Sequence, residues 1–404
     1  MESFKQSSGD YVTRVLSSPA DVPPSDWDRL LSLSDHPSPF MQHAYLSGMD
    51  ASGCARPETG WTAQWLTLWR HDRLAAACPL YLKDHSYGEY VFDWAWARAY
   101  ADHGLDYFPK ALVAVPFTPV PGSRLLAVDQ GTRKALVHAL IEHVRNLGLS
   151  SLHLLFGSED DIRACEDAGM MVRQTVQFHW QDHPPDGERW NGFDGFLGSL
   201  TQEKRKKIRQ ERRKVSDAGV TLRCVEGPNL SDSDWDFFQR CYQRTYAEHG
   251  NPPYLNAAFF DHVRRTMPQN WLLFIAEREG RALASSLIAL DPQHRVAFGR
   301  YWGALERVDC LHFECCYYAP IEWCIRHGYQ RFEGGAQGEH KMSRALLPVV
   351  TRSAHWLRHP AFADAVQHYL AREGAGMEAY LAHLAHRSPL KKPGQGAIDE
   401  NSDA

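Results

Sequence analysis

No stretch of this chain strings together the roughly 18 apolar residues that a membrane-spanning helix needs, so no spanning segment is expected. Met1 to Asp10 has no apolar h-region, and no secretory signal is expected there. The nine cysteines form no Cys-x-x-Cys pair, which removes the usual zinc and dithiol signatures. An odd count without an export signal fits reduced thiols and a cytoplasmic location. The 21 histidines form no His-Glu-x-x-His or similar ligand spacing, so no metal site is expected. A net charge of −5 gives no global attraction to nucleic acid; any such attraction has to be local.

What is present is an ordinary globular balance, 44% hydrophobic and 23% charged residues. At 404 residues the chain is long enough for two domains with separate cores. Gln181 to Asn191 carries Pro184, Pro185 and Gly187 among polar residues and reads as a linker. The expected division is an N-terminal domain over 1–183, a C-terminal domain over 184–386, and a polar, disordered tail over 387–404.

In the first half, Tyr11 to Leu16 reads as a strand, followed by two short helices. Trp65 to Trp69 and Leu74 to Leu82 read as a hairpin around His71-Asp72. Tyr90 to Trp96 reads as a third strand and Ala97 to Lys110 as irregular chain. Thr132 to Leu147 has helical spacing and stops at Gly148. Leu152 to Phe156 is a strand, Ser158 caps a helix, and Met171 to Trp180 closes the half. The second half gives a strand at Thr221 to Val225, helices capped by Ser231 and Asn256, and a hairpin around Glu279-Gly280. A strand over Arg295 to Trp302, a helix over Leu311 to His327 and a strand at Arg331 to Glu333 follow. Val349 to Leu357 reads as a late strand and Pro360 to Glu373 as a helix. Strand, two helices, hairpin, strand, helix, strand occurs twice. The expected fold is therefore α/β: two tandem domains, each a mixed twisted sheet flanked by helices.

The densest chemistry lies between Arg300 and Lys341. A strand, a helix with Gly328 as its C′ residue, and a second strand running into glycines form a βαβ unit. Ligands of such sheets bind outside the carboxyl ends of the strands. Arg300, Tyr301 and Trp302 lie at one such end, and Glu333, Gln337, Glu339, His340 and Lys341 at the other. Pro320 inside the helix implies a kink or restart. Glu314, if it faces the sheet, needs a partner, for which Arg300 is a candidate. Lys204 to Lys214 carries eight basic residues, distributed around a helix, against Glu203 and Glu211. Lys204, Arg205, Lys207, Arg209 and Arg212 are candidate phosphate ligands, though a solvated helix gives the same pattern.

The element order in each half resembles the GNAT acyltransferase fold. Phe92-Asp93-Trp94-Ala95-Trp96, Tyr107-Phe108-Pro109-Lys110, Pro116-Phe117-Thr118-Pro119, His312-Phe313-Glu314 and Gly335-Ala336-Gln337-Gly338-Glu339-His340-Lys341 resemble the FemAB-like family, named for peptidoglycan biosynthesis or recognition. The resemblance spans roughly residues 20 to 385. It implies a transferase that moves an amino acid from aminoacyl-tRNA to an amine on a cell-wall precursor peptide. In the better-studied Fem enzymes a Phe-Lys pair after the glycine strand serves the transfer; here the match is His340-Lys341, without the phenylalanine.

Acyl transfer to an amine needs a base for the amine's proton and donors for the oxyanion. Glu339 or His340 is the candidate base and Lys341 the candidate stabiliser, with Glu314 and Glu333 as further acidic candidates. Asp93, Trp94, His103, Tyr107 and Lys110 are candidate substrate contacts lining a cleft between the domains, with Asp93 and Lys110 alternatively members of a structural salt bridge. No tightly bound cofactor is expected. The donor is aminoacyl-tRNA or an acyl thioester such as acyl-CoA. The CoA signal is weak, because Arg300-Tyr301-Trp302-Gly303-Ala304-Leu305 matches a pyrophosphate loop only in part and is followed by Glu306 and Asp309. The acceptor is an amine-bearing small molecule or peptide. A non-catalytic module that recognises a cell-wall precursor, and a plain N-acetyltransferase, are the alternative readings.

Overall fold

The computed structural model describes residues 11–184, 187–335 and 338–391. Its first half contains β1 (Val12–Leu16), α1 (Pro24–Ser32), α2 (His43–Ala51), β2 (Trp61–Ala63), β3 (Trp65–Arg70), β4 (Arg73–Cys78) and β5 (Leu80–Lys83). There follow α3 (Trp94–Asp102), β6 (Lys110–Val113), β7 (Leu126–Ala127), α4 (Gln130–Asn146), β8 (Ser151–Gly157), α5 (Glu159–Asp167) and β9 (Met171–Gln181). The second half contains α6 (Gly192–Ser199), α7 (Gln202–Asp217), β10 (Thr221–Glu226), α8 (Asp232–Glu248), α9 (Ala257–Thr266), β11 (Trp271–Arg278), β12 (Arg281–Asp291) and β13 (Val296–Ala304). It ends with α10 (Leu311–Phe313), a π turn (Glu314–Tyr318), α11 (Ala319–His327), β14 (Arg331–Glu333), β15 (Leu347–Leu357) and α12 (Pro360–His386).

The chain falls into two compact units rather than parting at a single cut near residue 183. Unit 1 is Met1–Thr175 with Tyr254–Met267 and Val350–Glu378; unit 2 is Val176–Pro253, Pro268–Val349 and Ala379–Ala404. In unit 1, β1-β3-β4-β7 form a four-stranded sheet, and β8 lies parallel to β6 and antiparallel to β15. Its core gathers Leu66, Leu80, Val113, Leu136, Leu140 and Leu154 between sheet and helices. In unit 2, β10 to β13 form an antiparallel meander, and β14 adds in parallel to β13. The C-terminal part of β9 closes that sheet beside β14. Its main core packs Trp180, Phe196, Ile208, Tyr318, Ile321 and Phe332.

Local chemistry explains most boundaries. Ser158 and Ser231 make capping boxes with Asp161 and Asp234, and Asn256 accepts from the Phe259 N–H. Gly328 ends α11 at φ 72°, a left-handed conformation that glycine adopts without a Cβ penalty. Pro320 falls where the π turn gives way to α11, so the irregularity it implied in the helix takes the form of a π turn followed by a restart of α-helix at Ala319. Tyr90 to Trp96 is not a strand; Trp94 opens α3. Trp96 and Tyr100, four residues apart, are both buried on one helical face. The chain after His386 is tied down at its start, with Lys391 N–H donating to Ser199 O at 2.9 Å. Among the described residues no helix is long and apolar enough to cross a membrane, and all nine cysteines are free thiols.

Candidate active site

β14 pairs with β13 only from Val296 to Phe298, while β13 runs on to Ala304. The two strands therefore part at their carboxyl ends, where the βαβ pattern places a ligand. Against β12, Leu287 pairs with Tyr301 and Ile288 with Gly299, so Arg300 is the extra residue of a β-bulge. The π turn adds a residue to the helix that follows, a device found often at functional sites. Beyond β14, a 3-10 segment (Glu339–Arg344) brings His340 and Lys341 back to the π turn.

Lys341 is 4% exposed, and its ammonium donates to Gly335 O at 2.9 Å. Among the described residues no carboxylate pairs with it. Burial lowers its pKa to about 8, and the nearby Cys316 thiol opposes the shift only weakly. Lys341 thus stays cationic at neutral pH in a poorly solvated place, where an N–H donor acts strongly on nearby negative charge. Gly334 makes room for it: a Cβ there would lie 2.5 Å from Leu346 Cδ2 and 3.3 Å from Lys341 Cδ. His312 titrates near 4, through burial first and then the positive potential of His340, Arg344 and Lys341. His340 is also lowered, by burial, Arg344 and Lys341. Its Nε2 lies 3.3 Å from the Tyr317 hydroxyl, while the ring itself is exposed. Both imidazoles are therefore unprotonated near neutral pH and can accept a proton.

The segment is anchored from beneath. Arg344 donates to both Glu211 oxygens at 3.1 and 3.2 Å and to His340 O at 2.8 Å. Its guanidinium lies 3.4 Å from the Phe313 ring centroid, and the Tyr318 hydroxyl also donates to Glu211. A cleft of about 340 Å³ opens beside this cluster, with Trp302, Arg307 and His312 on its walls. Trp302 meets the His312 ring edge-on at 5.4 Å.

Other expected site residues lie elsewhere. Glu339 turns to α12, bonded to the Tyr380 hydroxyl at 2.8 Å and to Arg387 at 3.2 Å, and those partners hold its carboxyl low. Glu333 is buried between Arg331 at 3.0 Å and His179 at 3.8 Å. Glu314 pairs with Arg212 at 3.0 Å and not with Arg300. The Arg300 guanidinium donates to the Tyr301 hydroxyl at 3.1 Å, and Tyr301 packs edge-on against Tyr242 at 5.1 Å. Arg300 to Ala304 lie within β13 and form no phosphate loop, and the acid that follows, Glu306, is held by Arg278 and Arg281. Gln337 lies outside the described residues.

The basic run is α7, and its charges do not surround the helix. Ile208, Glu211 and Val215 form a buried stripe, leaving Lys206, Lys207, Arg209, Arg213 and Lys214 exposed. Lys204 pairs with Glu203 at 2.8 Å, and Arg205 is half-buried. Arg212 is committed to Glu314 and, at 2.8 Å, to Glu322, so it is no phosphate ligand in this arrangement.

Unit 1 holds a second ionic cluster, centred on Lys110. Lys110 Nζ is fully buried and donates to Asp93, to Glu89 at 2.7 Å and to Ser86 at 2.8 Å. Burial pushes the Asp93 carboxyl up, but Lys110 and His153 outweigh it and hold it well below the usual range. Tyr107 donates to Asp93 at 2.6 Å, so its oxygen accepts from His153 Nε2 at 3.1 Å. His153 Nδ1 then accepts from His355 Nδ1 at 2.7 Å. Trp94 is exposed at 41%, and exposed His103 bonds to Ala99 O at 2.8 Å within its own turn. The sequence reading missed Lys83, Glu89, His153 and His355 here, and Glu211, Tyr317 and Arg344 in unit 2. Glu211 carried a readable signal, three residues after Ile208 and four before Val215 on the apolar stripe.

The antiparallel meander, the parallel β13–β14 pair and the helix between them define an α/β fold of the GNAT acyltransferase class. The chain belongs to the FemAB-like family, described by peptidoglycan biosynthesis or recognition, whose model matches residues 18–392. No curated protein matches the sequence. Among solved structures, FemX superposes with a TM-score of 0.50 at 10% identity, covering 86% of this chain and 98% of its own. The C-terminal domain of a putative lysylphosphatidylglycerol synthetase from Agrobacterium fabrum gives 0.53 at 12% identity, covering 88% and 97%. L-PGS from Bacillus licheniformis gives 0.52 at 10% identity, covering 86% and 97%. At such identities the likeness is one of fold.

Proposed function

We propose that this FemAB-like chain transfers an aminoacyl or acyl group to an amine of a peptidoglycan-precursor peptide or sugar. Lys341 stabilises the oxyanion and His340 takes the amine's proton. The amine nitrogen attacks the carbonyl carbon of the donor ester or thioester. The carbon–nitrogen bond forms as the carbonyl pair moves onto oxygen, next to the Lys341 ammonium. That pair returns as the carbon–oxygen or carbon–sulfur bond breaks, and His340 passes its proton to the leaving atom. The observation that carries this reading is the buried Lys341 cation without a carboxylate partner, beside two unprotonated imidazoles. A carboxylate there would cancel the field that an oxyanion needs.

Aminoacyl-tRNA is the favoured donor. The exposed cations of α7 supply phosphate contacts, whereas Arg300 to Ala304 lie within β13 and offer no pyrophosphate loop. That donor puts the reaction in the cytoplasm. The test is transfer of a labelled amino acid from charged tRNA to a lysine-bearing precursor peptide, with acetyl-CoA run in parallel. Lys341→Met is expected to fold and to lose roughly 10²–10³ in rate, the scale for removing one oxyanion donor. Wild-type rates in that variant would refute the assignment. A thermal shift with acetyl-CoA and transfer from it alone would move the donor to a thioester.

A further inference from the structure

A second cleft in unit 2, of about 530 Å³, lies between α7, α11 and the outer strand β10, and nothing in the reaction above uses it. It arises because the two helices stop covering the sheet before its edge. Phe274 on β11 is buried at 3%, whereas Cys224, opposite it on β10, is exposed and Leu222 half-buried. Val215, Val220 and Trp323 complete an apolar floor. Its volume falls in the range of about 300–1,000 Å³ that small-molecule sites occupy.

The rim is charged unevenly. Arg212, Glu314 and Glu322 satisfy one another, with Arg212 to Glu314 at 3.0 Å and to Glu322 at 2.8 Å. Arg213 is exposed on the same rim and pairs with no carboxylate among the described residues. Arg326 is 68% exposed and, among the described residues, pairs with the already shared Glu322, at 3.3 Å. Three guanidiniums thus face two carboxylates, which leaves the rim one net positive charge above an apolar slot, with Arg213 the guanidinium that meets no acid among the described residues. We propose that this cleft binds an amphipathic anion, an alkyl chain ending in a phosphate or carboxylate, with the chain on the apolar floor and the anion on Arg213 and Arg326. Arginine suits both headgroups because its planar fork donates two parallel hydrogen bonds. Glu314 lies on the cleft wall and also opens the π turn that carries Tyr317, so the site adjoins the candidate active site through one turn of helix.

The test is calorimetric titration of the whole chain with octyl phosphate and octanoate below their micelle concentrations, and with octylamine as the opposite charge. One-to-one binding of either anion, with at least tenfold weaker binding of the amine, is expected. Which anion binds more tightly separates a phosphate from a carboxylate ligand. Arg213→Glu, on an exposed helix face, should weaken the anion roughly tenfold to a hundredfold, the scale of a lost charge-assisted hydrogen bond. Leu222→Trp should fill the slot and abolish binding while leaving the arginines intact. Failure of both anions to bind at millimolar concentration, equal binding of octylamine, or unchanged affinity in a folded Arg213→Glu protein would overturn the proposal. The anion–amine comparison needs no variant and stands even if one fails to fold.

Discussion

Lys110 in unit 1 and Lys341 in unit 2 are both nearly inaccessible, at 0% and 4% exposure, but their surroundings are opposite. Lys110 sits among Asp93, Glu89 and Ser86, and the hydrogen-bond chain continues through Tyr107 to His153 and His355. Lys341 has a backbone carbonyl, a neutral thiol and two imidazoles that carry no charge near neutral pH. A buried cation with acids around it is neutralised and rigid. A buried cation without them holds a field that a ligand can satisfy. Lys83 lies between these cases: it rests 3.9 Å above the Trp61 ring, and burial brings it to about 7 although Glu89 opposes the shift.

The contrast can be broken most severely at Lys110. Lys110→Met would leave Asp93 and Glu89 buried without their cation, and urea unfolding should show a loss of about 3–5 kcal/mol. The double variant with Asp93→Asn should recover part of that loss. Lys341→Met should move the other way. Its folded pKa, about 8, lies below the unfolded value near 10.5. The unfolded chain therefore holds more protons between those values, and wild-type stability rises with pH across that window. At pH 7 the buried cation costs about 3 kcal/mol, so Lys341→Met should unfold at higher urea while losing turnover. Turnover in the wild type should fall as pH rises past about 8, as Lys341 loses its proton.

Gly334→Ala should disturb the Lys341 site with a smaller loss of stability. Its Cβ would meet the buried Leu346 and the Lys341 stem, and denaturation should register a loss of about 1–3 kcal/mol. The smallest stability change is expected on α7. Lys206→Glu with Arg209→Glu alters exposed positions and should stay within about 0.5 kcal/mol of wild type. Filter binding should nevertheless show weaker tRNA affinity and a shallower salt dependence.

Much of the fold was legible because local chemistry and global packing agree. Ser158, Ser231, Asn256 and Gly328 each mark a helix end in sequence and in space. The reading failed where packing overrode a local signal. The last helix, expected over Pro360 to Glu373, continues through Gly374 and Gly376 to His386, with open space where their Cβ atoms would lie. At the site, the sequence put Glu339, His340 and Lys341 together, but adjacency in the chain says little about direction. Within the 3-10 turn, Glu339 faces α12 while Lys341 turns inward. Cys316 beside Lys341 comes from the π turn, and Glu211, which holds Arg344, from α7, both too far along the chain for spacing to reveal.

The chemistry of the site depends on Lys341 being a buried cation without an acidic partner among the described residues. NMR titration of the 13C-methylated lysines, with Lys341→Met used to assign the signal, measures this most directly. A midpoint near 8 is the predicted result. A midpoint at the ordinary lysine value near 10.5 would contradict it, by showing an ammonium that is solvated or paired with a carboxylate.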